Sequence, residues 1–341
     1  MLLSCSKFDE GAVDPGILFS TGYSVSVVQN QSTKVSLYSG VADLLSKDGF
    51  GGYFNVKAFK ENTPDDHFTS PTTVMYHTDT QNPEWRFYNP SINAFEKRYW
   101  PQTYKLDFLA YMPLKRPEYA GVSITQELDP DTHISGFGYD NEGEDKGPTV
   151  ICSALPVDKD GQQSAKEFIY AWTPSQNPET VSLTGNKVPL KFVHPFAVVY
   201  VKIGGAHGGT TVNSLGFQNI YNNGIHNVAN SAWTPSGNRT TLSIDNINQK
   251  IPDDVQIGHT YGPYIVMPQL HTGGTDPVKI FVNFTWMNSI YNGVHALDTK
   301  WECGKKYTYN VLLGDGAEDI MVDVRVEAWD VPGNNQEIEV K

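Results

Sequence analysis

The chain has 341 residues, a formal net charge of −13, 39% hydrophobic and 12% aromatic residues. Such acidity, with the basic residues scattered, repels a phosphate backbone and excludes nucleic acid as a partner. The apolar share is ample for packed cores, which excludes bulk disorder. No apolar run reaches the roughly 18 residues of a membrane span, so the body reads as soluble.

The first element is Leu2-Leu3-Ser4-Cys5, a lipobox-like run. A leucine three positions before a cysteine, with a small residue just ahead of it, is the pattern at which a signal peptidase seats a chain. The Cys5 thiol then receives lipid. A secretory signal needs a basic start and about 7–15 apolar residues; four residues precede Cys5, so the remainder is expected upstream. Residues 1–16 then read as lipobox and tether, with polar Ser6-Lys7-Phe8-Asp9-Glu10 followed by Gly11-Ala12-Val13-Asp14-Pro15-Gly16.

Strand periodicity dominates the rest. Tyr104, Leu106, Phe108 and Ala110 alternate with Lys105 and Asp107. The run Ala197 to Ile203 is nearly apolar on both faces, as expected of a central strand. Val278 to Phe284 and Val322 to Ala328 alternate again. Clusters such as Gly204-Gly205, Asn222-Asn223-Gly224 and Gly273-Gly274 mark turns. With 30 glycines and 21 prolines, this is the pattern of β-sandwiches. One short helix is expected where Val41, Leu44 and Leu45 share a face between Gly40 and Gly49.

The length suits two domains of about 150 residues. The polar, proline-broken stretch Thr173-Pro174-Ser175-Gln176-Asn177-Pro178-Glu179 reads as the linker, giving domains 17–175 and 176–341. A weak internal echo supports two halves: Trp100 before Tyr104-Lys105-Leu106-Asp107-Phe108, and Trp301 before Tyr307-Thr308-Tyr309-Asn310-Val311.

No catalytic constellation emerges. The nine histidines show no HExxH spacing, and neither GxSxG nor a P-loop occurs. His194 in its apolar run reads as a buried, satisfied histidine. The acidic loops at Asp129-Pro130-Asp131 and Asp140-Asn141-Glu142 lack calcium-loop spacing and read as solvated. Cys152 and Cys303 read as buried free thiols. No cofactor or metal is expected. Exposed aromatics stack on sugar rings, and Trp85, Tyr88 and Trp286 are the residues to watch for a glycan platform, against a plainer role in the core.

Several segments, in order, resemble the fimbrillin family of lipoprotein pilins from Bacteroides-type bacteria. They are Ile17-Leu18-Phe19-Ser20-Thr21-Gly22, then Phe54-Asn55-Val56-Lys57-Ala58-Phe59, then Tyr99-Trp100-Pro101 with Leu106-Asp107-Phe108-Leu109-Ala110-Tyr111-Met112-Pro113. The second half adds Val188-Pro189-Leu190-Lys191-Phe192-Val193-His194, where Pro195-Phe196 replaces the usual Ala-Leu. Met267-Pro268-Gln269, Trp301 to Val311 and Val324 to Trp329 complete the series. The basic and acidic residues just after Cys5 are similar to the surface-export signal of such lipoproteins.

The resemblance implies an all-β chain of two tandem transthyretin-like Greek-key β-sandwich domains. It implies a surface-exposed outer-membrane lipoprotein of a fimbrium, partnered by other pilus subunits through strand exchange and by the membrane through lipid. Host or bacterial surface ligands follow from an adhesive role. In the family, cleavage after an arginine releases an N-terminal strand and opens a slot; the exchangeable strand here would hold Ile17, Leu18 and Phe19. The first arginine, however, is Arg86, inside the first domain. The C-terminal donor strand would hold only Ile338 and Val340 as an alternating pair. Those departures favour a tip, anchor or accessory subunit over a main stalk subunit. The rival reading is a monomeric carbohydrate-binding lipoprotein of a polysaccharide-uptake system.

Overall fold

The computed structural model describes residues 17–21, 53–68, 72–77, 84–115, 127–142, 145–155, 165–183, 187–205, 209–251, 258–270, 276–298, 300–314 and 320–329. Cys5, Ile338, Val340 and the expected helix around Val41, Leu44 and Leu45 lie outside these residues.

The chain opens with β1 (Phe19–Thr21), β2 (Tyr53–Lys60), β3 (Thr72–His77), β4 (Glu84–Asn89), β5 (Ala94–Phe95) and β6 (Leu106–Met112). A 3-10 turn, Pro130–Thr132, leads into β7 (Ile134–Asp140), β8 (Gly147–Cys152) and β9 (Ile169–Gln176). After helix α1 (Pro178–Ser182) come β10 (Val188–Leu190) and β11 (Phe192–Val193). The second half holds β12 (Ala197–Gly205), β13 (Thr211–Ile220), β14 (Asn223–Asn227), β15 (Ala232–Ser236), β16 (Thr240–Ile244) and β17 (Gln249–Lys250). It ends with β18 (His259–Val266), β19 (Lys279–Trp286), β20 (Ser289–Ala296), β21 (Lys305–Leu313) and β22 (Ile320–Ala328). Among the described residues no helix is long and apolar enough to cross a membrane.

The first sheet runs β10-β1-β4-β3-β2-β6-β9-β11, with β5 on β4. Its two end strands, β10 and β11, are separated in the chain by Lys191 alone. The sheet therefore curls until its edges meet, and the Thr173 hydroxyl of β9 donates across the seam to the Pro189 carbonyl of β10 at 2.7 Å. Inside lie Phe19, Phe54, Val56, Phe87, Phe108 and Phe192, all at most 1% exposed. Each such ring contributes on the order of 1.5–3 kcal/mol by leaving water.

The second half packs the sheet β18-β12-β21-β22 against β16-β13-β19-β20, with β17 on β13. Val199, Val201, Phe217, Val282, Tyr309 and Trp301 fill the gap. A fourth sheet, β15-β14-β8-β7, mixes strands from both halves. Beside it a third core joins Leu109 and Tyr111 of β6, Tyr170 of β9, Val150 of β8, and Phe196 and Val198 at the start of β12. This explains the double-faced strands. On β6, Leu106, Phe108 and Ala110 enter the first core while Leu109 and Tyr111 enter the third. On β12, Val199 and Val201 face the second core and Val198 the third.

The polar stretch 173–179 is more structured than its composition suggests. Residues 173–176 finish β9, and Asn177 then caps α1: its carboxamide oxygen accepts from the Thr180 N–H at 2.9 Å, and the Thr180 hydroxyl accepts from the Asn177 N–H at 2.8 Å. Pro178 occupies the first turn, where its missing N–H costs nothing. Strand pairing also runs past residue 176, since β10 and β11 belong to the first sheet and β14 pairs with β8. Cys152 is buried on β8 and Cys303 half-buried, both as free thiols. Burial pushes the Cys152 thiol up to about 12 and the Cys303 thiol to about 11. The Asp129 carboxylate is occupied by the Asp131 N–H at 3.0 Å and by Lys166 at 2.5 Å.

Candidate strand-exchange site

The site is built around β1. Ile17 and Phe19 are 2% and 1% exposed, with Leu18 between them half-buried, so alternation turns the apolar pair inward. Phe19 meets Phe87, Phe108 and Phe54 edge-on, with ring centroids 5.2, 5.7 and 6.4 Å away. On one side β1 pairs in parallel with β10, Phe19 opposite Val188 and Thr21 opposite Leu190. On the other it pairs antiparallel with β4 at a single position, Phe19 opposite Trp85. Two further backbone bonds hold its start: the Ile17 N–H donates to Arg98 and the Val188 N–H donates to Leu18, each at 2.8 Å.

The arrangement is lopsided. Side chains are deeply inserted, but β1 is three residues long and bridges two neighbours that do not pair with each other. Its removal leaves an apolar slot walled by Val188, Leu190, Trp85 and Phe87, with unpaired backbone groups along both sides. An extended segment with alternating apolar side chains restores both kinds of contact.

The aromatic residues named for glycan stacking do not form a platform. Trp85 is 3% exposed and packs on Phe54 and Tyr76, with centroids 5.0 and 5.1 Å away. Tyr88 is 8% exposed, lies against Phe95, and its hydroxyl bonds the Asn93 side chain. Trp286 is half-buried on β19 in another sheet, packed against the second core. Trp85 belongs to the wall of the β1 slot, whereas Tyr88 lies outside that core, against Phe95.

Two polar contacts were out of reach of sequence. His194 is fully buried, paired with buried Glu167 and stacked on Trp329 with ring centroids 4.3 Å apart. Glu167 lies just before β9 and Trp329 just after β22, so the contact joins the two halves. Likewise Tyr170 of β9 bonds His226 of β14 at 2.8 Å. Only the apolar context of His194 hinted at the first, and nothing local marks the second.

A family model described as fimbrillin-like matches residues 46–329, most of the chain. The protein belongs to the fimbrillin-like family. No curated protein matches the chain by sequence. Among solved structures, a fimbrial protein from Bacteroides vulgatus is 16% identical and superposes with a TM-score of 0.58, covering 92% of this chain and 99% of that one. At that identity the likeness shows a shared β-sandwich fold. A protein from Bacteroides ovatus ascribed to cell adhesion is 16% identical at TM-score 0.49, covering 94% and 100% of the two chains. The tip fimbrial protein Mfa3 from Porphyromonas gingivalis is 10% identical at TM-score 0.40, covering 82% and 94%. This fimbrillin-like chain thus shares its fold with a fimbrial protein along nearly its whole length.

Proposed function

We propose that this fimbrillin-like chain is a non-enzymatic pilus subunit that joins other subunits by strand complementation and serves adhesion at the cell surface. The seat of β1 is the observation that carries the reading. A short strand held by deep side-chain anchors and few ladder bonds is one that an alternating segment of another subunit can replace. Lipid on Cys5 would tether the body to the outer membrane, and an alternating segment such as that around Ile338 and Val340 would serve a neighbour's slot. Arg86 lies in the middle of β4, so a cut there would remove β1 to β3 together and destroy the slot instead of opening it. That favours a tip, anchor or accessory position over a main stalk position. Burial of Trp85 and Tyr88 weighs against a glycan-binding monomer.

The test uses the lipid-free chain, Ser6 to Lys341, before and after limited proteolysis between Thr21 and Tyr53. Samples are run unboiled on a denaturing gel and by light scattering. A ladder of detergent-resistant multimers after clipping is the expected result. A clipped chain that has shed β1 yet stays folded and monomeric overturns strand exchange.

A further inference from the structure

We propose that β20 is a homotypic docking edge, at which two copies of this chain pair antiparallel into one continuous sheet. This edge lies in a different sheet from β1, so the proposal stands apart from strand exchange. Among the described residues β20 pairs with β19 alone. The two strands keep an unbroken register over eight residues, from Lys279 opposite Ala296 to Trp286 opposite Ser289. Met287 and Asn288, both at positive φ, close the tight turn between them.

Sheet edges are normally blunted by charge, proline or a bulge. The other long edges in this molecule follow that rule. β22 carries Asp323, Arg325 and Glu327, and β15 carries Pro235. β18 contains Pro263 and a register shift against β12; β7 and β16 are also shifted against their partners. β20, Ser-Ile-Tyr-Asn-Gly-Val-His-Ala, has none of these devices. Its outward side chains include Ile290 and Val294, 69% and 47% exposed.

The second copy is the occupant because the edge is complementary to itself. Across the tight turn Trp286 and Ser289 form the closing hydrogen-bonded pair. Every second residue from there turns its backbone groups to β19, so Ile290, Asn292 and Val294 turn theirs outward. Two such edges meet antiparallel with Asn292 opposite Asn292, and each Ile290 then falls opposite a Val294. On the outer face an amide chain already runs towards this edge. The Asn213 carboxamide donates to Asn283 at 2.9 Å, and Asn283 donates to Asn292 at 2.6 Å. Across the dyad the Asn292 carboxamide nitrogen, next in that chain, donates to the Asn292 carboxamide oxygen of the second copy, and the chain continues into it. On the other face Tyr291 falls opposite Gly293, and each stays packed on its own molecule, Tyr291 against Phe284 and Gly293 beneath Ile320 of β22. An uncharged strand is also the place where two molecules of charge −13 approach with least repulsion.

The full lipid-free chain is measured by light scattering across a concentration series, together with two charge variants and one cysteine variant. The wild type is expected to be dimeric. Val294→Lys should be monomeric with an unchanged thermal midpoint. Ile290→Glu/Val294→Lys should dimerise again, because the register sets each Glu opposite a Lys. Asn292→Cys should form an intermolecular disulfide that the wild type does not, since a hydrogen-bonded antiparallel pair holds its Cα atoms about 5.5 Å apart, within disulfide reach. A monomeric wild type without cross-linking at residue 292 overturns the proposal, and so does a dimer indifferent to Val294→Lys. A dimer lost on deleting residues 330–341 would make the tail the occupant, which also overturns it.

Discussion

His226 shows how one residue couples the fold to pH. It is 0% exposed, it bonds the Tyr170 hydroxyl at 2.8 Å, and its ring lies 4.9 Å from that of Trp233. Burial pushes its pKa down from 6.5 to about 3. The folded protein therefore keeps the imidazole neutral in a range where the unfolded chain takes up a proton. Stability from this residue is complete above pH 6.5 and is lost as pH falls, by about 1.4 kcal/mol per unit. His226→Gln keeps a donor and an acceptor for Tyr170 but does not titrate. In urea unfolding, the wild type should lose about 2 kcal/mol more than this variant between pH 7.5 and pH 5. Equal losses would show that His226 is charged in the fold. Sequence could not reach this contact, because residues 170 and 226 meet only after the sheet of β7, β8, β14 and β15 has formed. The pairing of His194 with Glu167 is hidden for the same reason. By contrast, the inward pair Ile17 and Phe19 follows from alternation alone.

Elements were legible in proportion to their length and regularity. β6, β12, β19 and β22 appear in the sequence as period-two runs because each has at least one continuous core face. β10 and β11 do not. Val188 to Val193 looks like one strand, but the chain crosses from one edge of the first sheet to the other at Lys191, leaving strands of three and two residues. Helix α1 was hidden by polarity, although Asn177-Pro178-Glu179-Thr180 contains a cap, a first-turn proline and the reciprocal hydroxyl. The pairing of β13 with β16 depends on a finer feature. A Cβ added to Gly216 would lie 1.8 Å from the Leu242 carbonyl oxygen and 2.9 Å from the Phe281 ring. The first neighbour is backbone, so it yields only if the strand moves. Gly216→Ala should therefore cost at least about 1–3 kcal/mol, the range for overpacking. Amide exchange should quicken from Leu242 to Ile244 before it does elsewhere. Wild-type protection in that segment would mean that the sheet absorbs the methyl group without separating.

At the scale of the whole molecule, the second half closes one core by itself, but the first half closes neither of its cores without strands from the second. The first sheet needs β10 and β11, which bring Val188, Leu190 and Phe192 into its interior. The hairpin β7–β8 is extended by β14–β15, with Ile225 opposite Ile151 and His226 opposite Val150. Phe196 and Val198 belong to the same third core as Leu109 and Tyr170. Sequence composition suggested a division at 175/176 because polarity and prolines gather there, but composition registers solvent exposure and carries no information on which edges pair. Two consequences can be measured. Residues 17–175 expressed alone would lack four buried side chains of the first core, Val181, Val188, Leu190 and Phe192, and the partner of β8, and should give little near-ultraviolet dichroism and strong binding of a hydrophobic dye. Extending the fragment to residue 236 restores β10, β11, β14 and β15 and should recover native-like signals in the first half. In the intact chain, calorimetry should show one cooperative transition, because the third core unfolds with both halves. Two separated transitions, or a well-folded 17–175 fragment, would mean that the shared sheets are additions to domains already stable on their own.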